Sequence, residues 1–111
     1  MGTIFMDVST YQVYAYGGPN PISHIDAAIV LPAGHSTVSL VFYHDGAVIP
    51  ANTMVPLGLG NFLYTMRYRY AQFANVLDLL RNEKPIRFYF DDQSMLGYIT
   101  TSDEPIGEAE V

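Results

Sequence analysis

The sequence predicts an α+β domain: a mainly antiparallel sheet, open or curled toward a barrel, with one helix at about 70–83 and a C-terminal hairpin after it. Three observations carry this expectation. Apolar and polar residues alternate through most of the first two-thirds of the chain, the period of a half-buried strand. One segment near residue 70 switches to the 3.6-residue period of an amphipathic helix. Pro85 then ends that helix, ahead of a second alternating run that folds back on itself.

In "TIFMDVS", Ile4, Met6 and Val8 alternate with Phe5, Asp7 and Ser9, and "YQVYAY" continues extended to Gly17. "GGPNP" breaks the chain, because two prolines and an Asn leave no regular option. In "HIDAAIVL", Ile25, Ala27, Ile29 and Leu31 share one face; after the turn "PAGH", Val38, Leu40 and Phe42 do the same in "STVSLVFY". These two runs predict an antiparallel hairpin that pairs Leu31 with about Ser36 and places His24 opposite Tyr43 or His44. "HDG" is a further turn signal, "AVI" before Pro50 a short return strand, and "PANTMVPLGLGN" a loop.

From Phe62 the even positions (Phe62, Tyr64, Met66, Tyr68) form an apolar face and the odd ones (Leu63, Thr65, Arg67, Arg69) a polar one, so "TMRYRYAQF" begins as a strand. Within it the period changes, and Phe73, Val76, Leu77 and Leu80 recur at helical spacing. Each is worth about 1.5–3 kcal/mol if fully buried, enough to dock a helix that is marginal alone. Arg81 in the last turn suits the negative end of the helix dipole. "IRFYF" then puts Ile86, Phe88 and Phe90 on one face and Arg87, Tyr89 and Asp91 on the other, "DDQS" turns, and Met95–Thr101 returns. A strand, a helix and a strand in succession read as a crossover unit in one sheet, with the helix on the apolar face and Arg67, Arg69, Arg87 and Tyr89 together on the opposite one. Pro105 and Gly107 are spaced for a type I turn, and residues 103–111 are an acidic tail expected to fray.

The last third, "VLDLLRNEKPIRFYF" followed by "ITTSDEPIGEAE", resembles the ending of small uncharacterised bacterial proteins, whose helix closing on LRNEKP leads to a strand pair and a final S-x-E-P-V-G-E segment. Ile106 stands where that pattern has Val. The resemblance implies a helix followed by a hairpin and a bacterial origin; no activity attaches to it.

At 111 residues with no linker-like stretch, one domain spanning 1–111 is expected. Half the residues are apolar and 14% are charged, against roughly 25% in an average soluble domain, so the surface must expose hydroxyls, amides and apolar area. Nine tyrosines supply a surface of mixed character, as interfaces do. The net charge of −6 argues against nucleic acid and anionic membranes as partners, and all five basic residues lie between Arg67 and Arg87. There is no cysteine, hence no disulfide, thiol nucleophile or Cys-based zinc site. "MGTIFMDVST" lacks the features of a secretory signal, and the longest apolar run, Ala27–Ala33, is interrupted by Pro32. A soluble cytoplasmic protein is the expectation.

Two groups of residues hold chemistry worth locating. His24, Asp26, His44 and Asp45 converge at one sheet end in the expected register, as a metal site or an acid–base pair requires; a one-residue slip would separate them. Arg67, Arg69 and Arg87 with Tyr89 suit a phosphate or carboxylate, which arginine grips with two parallel hydrogen bonds. His35 reads as a turn residue. "GLGN" leads into a strand rather than a helix, so it does not cradle phosphate, and no nucleophile elbow occurs. No cofactor is expected. The composition thus favours a non-enzymatic interaction module that forms a homo-oligomer through a tyrosine-rich, weakly charged surface. The alternative is a binder of a small anionic ligand or nucleotide, and after it a small metal-assisted or acid–base enzyme.

Overall fold

A computed structural model describes residues 2–17, 24–83 and 85–101. The expected break at 18–21, the extended geometry of Lys84 and the acidic tail lie outside them. Two open sheets and one helix make up the fold, so the class is α+β, and no closed barrel forms among the described residues. The smaller sheet contains β1 (Thr3–Val8), β7 (Ile86–Asp91) and β8 (Leu96–Thr101), antiparallel in the order β1-β7-β8. The larger contains β2 (Gln12–Ala15), β3 (Ile25–Ala33), β4 (Ser36–Tyr43), β5 (Thr53–Gly58) and β6 (Asn61–Arg69), in the order β2-β3-β4-β6-β5. A 3₁₀ turn, Tyr70–Gln72, joins β6 to the helix α1, Phe73–Asn82.

The alternation read in the sequence sets which side of each strand is buried. Ala27, Ile29 and Leu31 of β3, Val38, Leu40 and Phe42 of β4, and Tyr64 and Met66 of β6 meet Ile86, Phe88 and Phe90 of β7 in one core. The two sheets touch through aromatic rings: Tyr64 lies 5.1 Å from both Phe88 and Phe90, ring centre to ring centre. Gly97 faces inward on β8, and a Cβ there would come within 2.5 Å of Met66 Sδ and 2.9 Å of Phe90 Cδ1. Its missing side chain is what lets Met66 reach the other sheet. The helix shares the same core through Phe73, Val76, Leu77 and Leu80, with the Phe73 ring edge-on to Phe42 at 5.1 Å.

Four expectations are corrected. β6 and β7 do not lie in one sheet, so the strand–helix–strand segment carries the chain from one sheet to the other. The parallel pair is instead β4 with β6. The segment 50–61 is not a loop, since β5 runs through it as an edge strand, where Pro56 breaks no interior ladder. The residues 47–49 form no strand, and the chain from His44 to Asn52 crosses the outer face of the large sheet irregularly. There Ala47 and Ile49 cover Ala28, Val41 and Tyr43. This segment is the crossover that a parallel pair demands.

The β3–β4 hairpin also differs in detail. The strands run on through Pro32 and Ala33 to a two-residue Gly34-His35 turn, with Leu31 opposite Val38. Gly34 has φ +65° at the first central position, as in the type II′ turns that match strand twist. A bulge at Asp26 then removes one residue from the register, pairing Ile25 with Tyr43 and Ala27 with Phe42. It turns Ile25 away from Ala27 and onto the outer cluster with Val41 and Tyr43.

Two outcomes follow from this packing. Gly97→Ala should destabilise the fold by about 1–3 kcal/mol, because Met66 and Phe90 are both fully enclosed and cannot retreat freely. In a Met66→Ala background the same change should cost less, which a double-mutant cycle by urea denaturation measures. Burial against Phe42, whose ring stacks 5.1 Å away, pushes the Tyr68 phenol up to about 12. A free tyrosine ionises near 10, so the unfolded chain loses this proton first. The contribution is complete below about pH 10 and is lost as pH rises through about 12, on the order of 2–3 kcal/mol. Tyr68→Phe should therefore flatten the alkaline fall in urea midpoint between those pH values.

Candidate functional site

The structure brings part of the histidine–carboxylate group together. His44 donates its backbone N–H to the carbonyl of His24 at 2.8 Å, so the two imidazoles come to the same end of the β3–β4 pair. The bulge aims the Asp26 carboxylate across to His44, with Oδ2 3.2 Å from Nδ1. His24 itself adopts a left-handed φ of 58°, which a non-glycine residue seldom takes. Asp45 is exposed in the next turn. The result is one solvent-facing hydrogen-bonded pair rather than a four-residue cluster, and no group of three potential metal ligands forms among the described residues.

The arginines are separated. Arg67 and Arg69 lie on the outer face of the large sheet, and Arg87 with Tyr89 on the outer face of the small one, because β6 and β7 belong to different sheets whose inner faces oppose each other. Arg67 is committed to the fold. Its Nε donates to the Tyr43 hydroxyl at 3.1 Å, and Nη1 to the Ala51 carbonyl at 2.8 Å and to Thr53 Oγ1 at 3.1 Å. Its backbone N–H donates to Asn52 Oδ1 at 2.9 Å, while Asn52 Nδ2 donates to the Met95 carbonyl at 2.9 Å in the β7–β8 turn. Arg67 and Asn52 together fasten the crossover segment to both sheets. Arg69, at the end of β6, is exposed.

The outer face of the small sheet carries a feature the sequence reading did not assemble. Phe5, Tyr89 and Tyr98 are direct cross-strand neighbours on β1, β7 and β8. Their rings form a ladder, Phe5 to Tyr89 at 5.0 Å and Tyr89 to Tyr98 stacked at 4.5 Å and 17°. Phe5 is 57% exposed and Tyr98 40%, with Leu96 beside them at 54%. At one end Arg87 Nε faces Asp7 Oδ1 at 3.6 Å. At the other, Asp91 accepts from the Ser94 hydroxyl at 2.7 Å and the Gln93 N–H at 3.4 Å. The Ser94 bond first, then the Gln93 one, holds the Asp91 carboxyl below its ordinary value, keeping it charged. The sequence signal was present: each of these aromatics sits on the polar phase of its strand's alternation, opposite the residues that build the core.

If Arg67 is a clamp for the crossover, its geometry matters more than its charge. Arg67→Lys keeps the charge yet cannot span three acceptors with a planar fork. It should lower stability by about 1–3 kcal/mol and speed amide hydrogen exchange in 47–53 over the rest of the large sheet. Equal protection in the two proteins would contradict this assignment. Compared with protein-family models, curated proteins and solved structures, the chain matches none.

Proposed function

We propose that this protein is a non-enzymatic interaction module that pairs with a second copy of itself through the outer face of the β1-β7-β8 sheet. The observation that carries the reading is the exposed Phe5–Tyr89–Tyr98 ladder, which crosses every strand of that sheet. Aromatic rings dominate interface energetics, and ring pairs add about 0.5–1.5 kcal/mol beyond their buried area. With 14% charged residues, the chain has little to keep such a face in water.

Charge selects the orientation. Arg87, Tyr89 and Asp91 succeed one another along the central strand. A two-fold axis lying between the sheets and perpendicular to their strands reverses strand direction while keeping lateral order. It sets Tyr89 on Tyr89, Phe5 on Phe5, and Arg87 of each copy toward Asp91 of the other. An axis parallel to the strands sets Arg87 on Arg87 and Asp91 on Asp91, which like charges oppose. The interface is therefore isologous with strands antiparallel across it. Three six-residue strands span about 15 by 20 Å, roughly 300 Å² per copy against about 800 Å² per partner in a standard interface, so the dimer is weak and concentration-dependent.

Sedimentation equilibrium tests this. The wild type should show a monomer–dimer equilibrium, and Phe5→Ser with Tyr98→Ser should weaken it at least about tenfold, or 1.4 kcal/mol, with folding unaltered. Arg87→Glu should weaken it more at low than at high salt, whereas Asp7→Asn, which removes only the intrachain partner, should not. A wild type that stays monomeric at millimolar concentration rules the proposal out.

A further inference from the structure

A cleft of about 600 Å³ opens where the C-terminal end of α1 meets the chain leaving β1. It lies within the range of small-molecule sites, roughly 300–1,000 Å³. Its origin is topological. The chain leaves the small sheet at Val8, crosses to β2 in the large sheet through Ser9–Tyr11, and passes the place where α1 ends and Pro85 redirects the chain into β7. Neither sheet fills the gap between these segments.

Its lining has two parts. Val8, Ile86 and Leu80 form an apolar floor continuous with the core. The exposed residues Ser9, Thr10, Tyr11, Arg81 and Asn82 complete the lining at the mouth. Two acids share the mouth: Asp7, whose Oδ1 lies 3.6 Å from Arg87 Nε, and Glu83, which has an interaction of its own. The Arg81 side chain makes no hydrogen bond or ion pair with any described residue. The cleft thus combines an apolar floor with one guanidinium that has no partner among the described residues.

We infer that this cleft binds a small amphipathic monocarboxylate, its apolar body on Val8, Leu80 and Ile86 and its carboxylate held by Arg81. Guanidinium and carboxylate match in a planar two-bond pairing. Asp7 and Glu83 at the same mouth repel a second negative charge, which disfavours phosphates and dicarboxylates. Ser9, Thr10 and Tyr11 complete the polar rim. The site lies apart from the aromatic ladder and does not depend on self-association.

Titration of the isotope-labelled protein with 4-methylpentanoate, followed by amide NMR shifts up to about 10 mM, tests this, ten times a Kd of 1 mM. Saturable shifts are expected at Val8, Thr10, Leu80 and Asn82, and not at Tyr98 on the outer face of the small sheet. The uncharged 4-methylpentanol and the dianionic 3-methylglutarate should each bind at least about tenfold more weakly, the equivalent of 1.4 kcal/mol. Arg81→Gln, at an exposed position, should reduce 4-methylpentanoate binding by a similar factor while the spectrum stays that of a folded protein. Absence of saturable shifts, equal binding of the alcohol, or full binding by Arg81→Gln would each overturn the assignment.

Discussion

The fold depends on the contact of two sheets through very few side chains. Tyr64 and Met66 project from the middle of the large sheet onto Phe88, Phe90 and the bare backbone of Gly97. A three-stranded sheet of six-residue strands has little stability of its own and must bury one face against something. The apolar phase of β7 supplies that face, and the helix closes what the small sheet leaves open by placing Phe73 against Phe42. Once the inner face of the small sheet is spent on this contact, its outer face is the surface left for a partner. That division is what connects the packing to the proposed role.

The second constraint is the parallel pairing of β4 with β6. The chain must leave β4, lay down β5 at the edge, and return between them as β6. It does so without a helix, through a segment anchored by Ala47 and Ile49 on its apolar side. Polar groups complete the attachment: Arg67 Nη1 donates to the Ala51 carbonyl and Asn52 bonds both Arg67 N–H and the Met95 carbonyl, while the Arg67 fork also ties Tyr43 and Thr53 at either end. An arginine that looked available for an anion is thereby consumed by topology. Arg69, two residues on at the end of β6, is exposed and makes none of those bonds.

Much of the buried half of the molecule was legible from periodicity alone. The inward sets of β3, β4, β6 and β7 and the four apolar helix residues are those that alternation and helical spacing select. What escaped did so for local physical reasons. β5 was hidden because its turn is Leu59-Gly60, both at positive φ, where Asn-Gly would have announced a hairpin. Leu59 is fully exposed there, so neither propensity nor burial marks it. The Asp26 bulge could not be foreseen from alternation, yet it turned Ile25 over. It also offset one residue of the two-residue error in the hairpin register, which is why the expected neighbourhood of His24 and His44 survived. The separation of Arg67 from Arg87 depended on sheet membership, which periodicity does not encode. The aromatic ladder was readable strand by strand and became a site only when β1, β7 and β8 were placed side by side.

The central claim is that the small sheet uses both faces, one for the core and one for a second copy. The most direct measurement is an isotope-filtered NOE experiment on a mixture of labelled and unlabelled protein at high concentration, which detects only contacts between copies. The account predicts intermolecular NOEs among the rings of Phe5, Tyr89 and Tyr98, with the Tyr89 ring contacting its own counterpart across the two-fold axis. Intermolecular NOEs confined to Tyr14 on the edge strand β2 and Tyr16 just beyond it, or none at any concentration, would contradict it.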